Sequence, residues 1–183
     1  MEYLDIVDEE GIPTGQTIER EVAHRKGIRH RTGHVWIMRK NKKGAVEILL
    51  QKRSDNKDSF PGCFDISSAG HIPAGEEVIP SALRELWEEL GLSVLPEELI
   101  YCGKRSFENK NIFHGKAFWD RQVSSVFVLW KNVDIKELHL QKEEIADAVW
   151  MELEACIRAV QENSIKHCIA MEELLMLRAE AAK

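Results

Sequence analysis

The stretch Gly70-His71-Ile72-Pro73-Ala74-Gly75-Glu76-Glu77-Val78-Ile79-Pro80-Ser81-Ala82-Leu83-Arg84-Glu85-Leu86-Trp87-Glu88-Glu89-Leu90-Gly91-Leu92 reads as a loop, a helix and a stop. Residues 77–90 are the predicted helix. Ile79, Leu83, Leu86 and Leu90 recur at i, i+4, i+7 and i+11, which sets one apolar face. Gly91 is placed to end the helix, because glycine accepts the left-handed conformation of a C-terminal cap. The polar side carries Arg84, Glu85, Glu88 and Glu89. The three glutamates are related by i+3 and i+4, so their carboxylates share a face directed away from the leucine stripe. Each like-charge pair at that spacing costs roughly 0.2–0.5 kcal/mol on an isolated helix. A solvated surface helix would intersperse lysines, and this one does not. A cation is the natural remedy. Several carboxylates plus water suit a hard, octahedral ion such as Mg²⁺ or Mn²⁺. Glu76 lies just ahead of the helix and can join the cluster.

Outward from this helix the chain alternates strands and helices. Residues 2–8 read as a strand, 9–15 as turn chemistry and 19–26 as a short polar helix. Residues 34–39 and 47–53 read as two strands of a hairpin closed by Asn41-Lys42-Lys43-Gly44. A loop at 59–62 precedes a short strand at 66–69 that leads into Gly70. Strands are predicted near 99–107, 122–130 and 146–151, and helices over about 152–162 and 165–181. This order argues for an α/β sandwich with a mixed β-sheet. The 183 residues carry no repeat or Gly/Ser/Pro linker, so one domain is expected over 1–183.

Composition narrows the function classes. With 44% hydrophobic and 31% charged residues the chain can bury a core and is not a disordered one. No apolar run is long enough for a membrane span. The acidic start Met1-Glu2-Tyr3-Leu4-Asp5 is not a signal peptide. A net charge of −6 with no basic stripe argues against a nucleic-acid duplex as partner. The scattered Cys63, Cys102, Cys156 and Cys168 form no CxxC pair, which points to reduced thiols and a cytoplasmic location.

The spacing holds more than a helix needs. Gly70, five residues, Glu76, seven residues, Arg84-Glu85-Leu86, one residue, Glu88-Glu89, one residue and Gly91-Leu92 fill every fixed position of the Nudix box, residues 70–92. The sequence resembles the Nudix hydrolases. That resemblance implies an α/β/α sandwich and cleavage of a small-molecule diphosphate with Mg²⁺ or Mn²⁺ and an activated water. It implies Glu85, Glu88 and Glu89 as metal ligands, joined by the backbone carbonyl of Gly70. Arg84 would hold a glutamate by ion pairing, and Glu76 would support the loop. Many members use a further glutamate six residues before a tryptophan, and Glu144 stands at that spacing from Trp150. Family position also suggests Lys52, Arg53 and Lys57 near the diphosphate, with His71 able to contact phosphate. Nudix proteins often dimerise, so a homodimer is among the expected partners.

The amino-terminal half is similar to a second branch of the same fold. Asp5-Ile6-Val7-Asp8-Glu9-Glu10-Gly11, Ala23-His24-Arg25-Lys26-Gly27-Ile28-Arg29-His30-Arg31 and Leu49-Leu50-Gln51-Lys52-Arg53 resemble isopentenyl-diphosphate isomerases. In those enzymes two early histidines, one matching His71, and two later glutamates bind a metal, and a cysteine and a glutamate move the proton. Here Ala69 takes the cysteine position and Gln122 the glutamate position, with Asp120 beside it. Neither alanine nor glutamine exchanges a proton near neutral pH. The intact box and these two losses favour hydrolysis over the isomerase alternative. An intact carboxylate nest also disfavours a catalytically idle nucleotide-binding module. Without the isomerases' full ligand set, His24 and His30 read as structural or substrate-contacting residues, with a second metal site as the alternative.

Overall fold

A computed structural model describes residues 1–57 and 59–183. In chain order the strands are β1 (Tyr3–Val7), β2 (Pro13–Glu19), β3 (His30–Lys40), β4 (Val46–Arg53), β5 (Phe64–Asp65), β6 (Ser68–His71), β7 (Leu99–Phe113), β8 (Lys116–Trp130) and β9 (Ile145–Glu152). The helices are α1 (Arg20–Lys26), α2 (Val78–Leu90), α3 (Leu153–Gln161) and α4 (Met171–Ala181). β1 and β2 form a separate hairpin sheet. The remaining strands make one sheet in the order β5-β4-β3-β8-β7, with β6 added to β3 and β9 to β4. β3 runs parallel to β8 and antiparallel to β4 and β6, so the sheet is mixed.

β3 explains the layering. His34-Val35-Trp36-Ile37-Met38 is buried throughout, as a strand covered on both faces must be. Val35 and Ile37 pack with Leu86 and Leu90 of α2, and Trp36 and Met38 pack with Leu174 and Leu177 of α4. Helices thus cover both faces of the sheet, giving an α/β/α sandwich. Gly33 faces α2, where a Cβ would meet Ala82 Cβ at 3.5 Å, an ordinary packing contact.

Several sequence expectations need correction. Pro13–Glu19 is a strand paired with β1, not turn chemistry to residue 15. Its side chains are mostly exposed, so no apolar alternation marks it. β7 and β8 are 15 residues each and run well beyond the expected strands. Their tip is closed by His114 and Gly115, both at positive φ, the geometry of a tight hairpin turn. The segment 165–170 is not helical. It lies along the edge of the sheet, where Phe64 N donates to Lys166 O and Cys168 N donates to Phe64 O. The helix phase of α2 also differs from expectation. Its buried residues are Ser81, Ala82, Leu86, Glu89 and Leu90, whereas Ile79 is exposed. The carboxylates therefore do not all point away from the core.

Candidate active site

The loop ahead of α2 is held by β1 and β3. Arg31 donates to Asp5 Oδ2 at 2.8 Å and to Glu76 O at 3.0 Å, and Gly75 N donates to the same Asp5 oxygen at 3.0 Å. Ala74 N donates to Tyr3 O. At the other end Gly91 takes the left-handed conformation, its N–H donates to Trp87 O, and Leu92 N donates to Leu86 O. The box is thus a clamped loop feeding a capped helix.

Its charged residues split by environment. Arg84 pairs with Glu76 at 2.6 Å and reaches Glu85 at 3.4 Å. The Arg84 hydrogen bond holds Glu76 below the usual carboxylate range. Burial pushes the Glu85 carboxyl up, against the pull of Arg84. Glu85 lies directly against Gly70, where a Cβ would come within 2.3 Å of Glu85 Cδ, so a larger residue there would push the Glu85 carboxylate aside. Glu89 is 6% exposed and accepts a 3.3 Å bond from Ala69 N of β6. Burial pushes its carboxyl up to about 8, with Glu85 adding repulsion. Glu88 faces solvent. Gly70, Glu85 and Glu89 therefore meet where α2 leans on β6.

Two loops border this nest. Gln141 N donates to Glu89 O, and Ser54 N donates to Glu144 O, so the 141–145 loop is hung between α2 and the end of β4. Lys57 Nζ is paired with Glu144 Oε2. Arg53 is spent on structure: it binds Asp65 at 2.9 Å and Ser59 O at 3.0–3.1 Å. Lys52 is exposed on β4.

Beside the nest lies a histidine cluster. His24 of α1, His30 of β3 and His71 of β6 bring ligand atoms within 4.8 Å of one another. Asp120 Oδ1 of β8 lies 3.6 Å from both His24 Nε2 and His30 Nε2. His30 Nδ1 sits 2.9 Å from Ile28 O; donating there leaves Nε2 as a bare acceptor. His30 Nε2 and Asp120 Oδ1 are both buried without a hydrogen-bond partner among the described residues. Two acceptors facing each other with no proton between them are an unusual arrangement. Burial lowers the pKa of His30 and, more strongly, that of His71, so neither is inclined to supply a positive charge. The β7–β8 tip folds over this region. Phe118 stacks on His24 at 4.6 Å, and Phe113 meets Phe60 at 5.0 Å.

Residues 29–170 match the Nudix domain family. The chain belongs to the Nudix family. An uncharacterized Nudix hydrolase of Clostridium acetobutylicum is 38% identical over 160 residues, covering 86% of this chain and 73% of that protein. A crystal structure from Deinococcus radiodurans superposes over 97% of this chain and 98% of its own, with a TM-score of 0.66 at 18% identity. A C. elegans Ap4A hydrolase complex matches 83% of this chain and 97% of its own, with a TM-score of 0.57 at 22% identity. The chain is an enzyme of the Nudix hydrolase class, and its architecture is the mixed-sheet sandwich of that fold.

Among the residues singled out from sequence, the Nudix fold brings Gly70, Arg84, Glu85 and Glu89 together, and Lys57 with Glu144. Arg53 and Lys52 stand apart, the first pinned to its own loop and the second in solvent. His71 joins the histidine cluster, where its Nε2 lies 3.4 Å from His24 Nε2. Asp5 and Arg31 were missed as clamps of the box loop. Their signal is weak, because an acid and a base 26 residues apart pair only once the chain has folded.

Proposed function

We propose that this chain hydrolyses the diphosphate linkage of a small organic diphosphate, of nucleotide or similar type, with Mg²⁺ or Mn²⁺. The observation that carries the reading is the buried Glu89 carboxyl beside Glu85, pushed up to about 8 by burial. Such a crowded pair is a poor structural element and a good donor set for a hard cation. Glu85, Glu88, Glu89 and the carbonyl of Gly70 would hold it. Bound there, the cation supplies charge to a phosphoryl oxygen and acidity to a water. The other roles fall to the chain. Arg84 steadies Glu85 and Glu76. Glu144 takes a proton from water as its oxygen bonds to one phosphorus, and the bridging P–O bond breaks to leave two phosphate-bearing products. His71 and Lys57 offer donors to phosphoryl oxygens. Phe60, Phe113 and Phe118 offer an apolar wall to the rest of the substrate, and the fold likeness to an Ap4A hydrolase fits a nucleotide-type group.

The orphaned acceptors favour a second cation. Three imidazoles and a carboxylate suit a softer divalent ion such as Zn²⁺, which His24, His30, His71 and Asp120 would hold. Metal analysis of the purified protein should then find an ion that the His30→Ala variant lacks. Isomerisation is disfavoured, since Ala69 and Gln122 occupy β6 and β8 beside this cluster without a titratable group.

The test is release of phosphate or pyrophosphate from nucleotides, nucleotide sugars and isopentenyl diphosphate, with and without Mg²⁺ or Mn²⁺. Metal-dependent cleavage of one class is expected. Proton exchange into isopentenyl diphosphate without any cleavage would replace this reading with the isomerase one.

A further inference from the structure

We propose that Lys57 is a tethered counter-ion that occupies Glu144 in the substrate-free enzyme and is displaced from it when the divalent cation and the diphosphate load. The inference rests on the reading above that Glu144 belongs to the reacting site.

The pair is built into the two loops. Ser54 N donates to Glu144 O at 2.8 Å, and Lys57 N donates to Ser54 O at 3.2 Å, so the backbones of both residues are fixed through Ser54. The tip of the β7–β8 hairpin adds a contact, with His114 Nε2 at 3.5 Å from Lys57 O. What can move is the side chain. A lysine is a point charge on a flexible stem, unlike the neighbouring Arg53, whose fork is already committed to Asp65 and Ser59.

The ammonium is also poorly housed. The Lys57 side chain is mostly buried, and desolvation and the Arg53 charge both disfavour its cationic form, while Glu89 favours it. Its charge is thus felt by the acidic nest as well as by Glu144. A carboxylate nest needs a cation, and in the bare protein the chain supplies one from its own loop. A divalent ion close to Glu144 repels that ammonium at short range. The incoming diphosphate offers it a new anionic partner. Release leaves the Glu144 oxygens free to accept the proton of a water. An ammonium seated on them blocks that role. Lys57 would in this way tie exposure of the base to arrival of the substrate.

The test reads metal binding rather than turnover. Mn²⁺ is titrated into substrate-free protein and free Mn²⁺ is followed by electron paramagnetic resonance. Lys57→Met should bind Mn²⁺ about fivefold more tightly than the native chain, the scale of a partly exposed ion pair. Lys57→Arg should stay close to native. Most of the Lys57→Met gain should be lost in a Glu144→Gln background. Unchanged or weaker Mn²⁺ binding in Lys57→Met overturns the proposal. So does an equal gain in the Glu144→Gln background, which would make Lys57 a through-space influence on Glu89 alone. Loss of the hydrolase reading shows separately, as absence of metal-dependent phosphate release from the native enzyme with the Mn²⁺ result intact.

Discussion

Glu89 and Glu173 are two buried carboxylates on opposite faces of one sheet, and they have opposite fates. Glu173, on α4, is fully buried and accepts from His34 Nδ1 at 2.9 Å, Trp36 Nε1 at 2.8 Å and Arg105 Nε at 2.8 Å. Burial alone would raise its pKa, but His34, Arg105 and Trp36 outweigh burial and hold it at about 2. Glu89, on α2, has one backbone donor at 3.3 Å, the Ser68 hydroxyl beside it and a second carboxylate for company, and burial raises it to about 8. Burial is common to both; the donor set is not. A satisfied acid anchors a helix to its sheet, whereas an unsatisfied one is a place for something from solution.

Breaking the satisfied side should have the largest effect on the fold. Glu173→Ala leaves Arg105 and His34 without their partner and should cost about 3–5 kcal/mol in denaturant unfolding. Breaking the unsatisfied side should spare the fold and lower turnover. Glu88→Gln should reduce metal-dependent phosphate release by about a hundredfold, roughly 3 kcal/mol of barrier, with an unchanged circular dichroism spectrum. Near-native turnover in that variant would remove Glu88 from the site.

The pH dependence sharpens the contrast. In chelator, the Glu173 contribution is present above the ordinary carboxylate value of 4.5 and is lost as pH falls toward about 2. The Glu89 contribution has the opposite sign. Its folded value is raised, so stability is fullest below 4.5 and declines as pH rises to about 8. Urea midpoints across pH should show both limbs; Glu173→Gln should flatten the acid limb and Glu89→Gln the neutral one. The smallest effect is expected at Ala69. Ala69→Cys restores a thiol but leaves Gln122 without a proton to give, so proton exchange into isopentenyl diphosphate should stay at background.

Much of this was legible in the sequence, and the exceptions have physical reasons. The spacing from Gly70 to Leu92 placed the helix, and Gly91 marked its end. The β3–β4 hairpin was legible from Asn41-Lys42-Lys43-Gly44 between apolar runs. The phase of α2 was not. Leu83, Leu86 and Leu90 pack toward the sheet as the stripe predicts, but the buried face takes in Ser81 and Ala82 in place of Ile79. That phase turns Glu89 inward. β2 and the outer half of the β7–β8 hairpin carry too many exposed side chains for an apolar pattern to register. His24, His30 and His71 were marked by the isomerase likeness, but their meeting with Asp120 of β8, like that of Glu173 with His34 across 139 residues, has no local signature.

The central claim is that a divalent cation completes the unsatisfied carboxylates beneath Gly70. It is tested most directly by thermal unfolding at pH 8 in rising Mg²⁺, for the native chain and for Glu89→Gln. The account predicts a native Tm that climbs about 5–10 °C at a hundredfold excess over Kd. It predicts a Glu89→Gln Tm at or above the native one without metal and almost no response to Mg²⁺. A native Tm indifferent to Mg²⁺, or a Glu89→Gln variant as destabilised as Glu173→Ala, would contradict it.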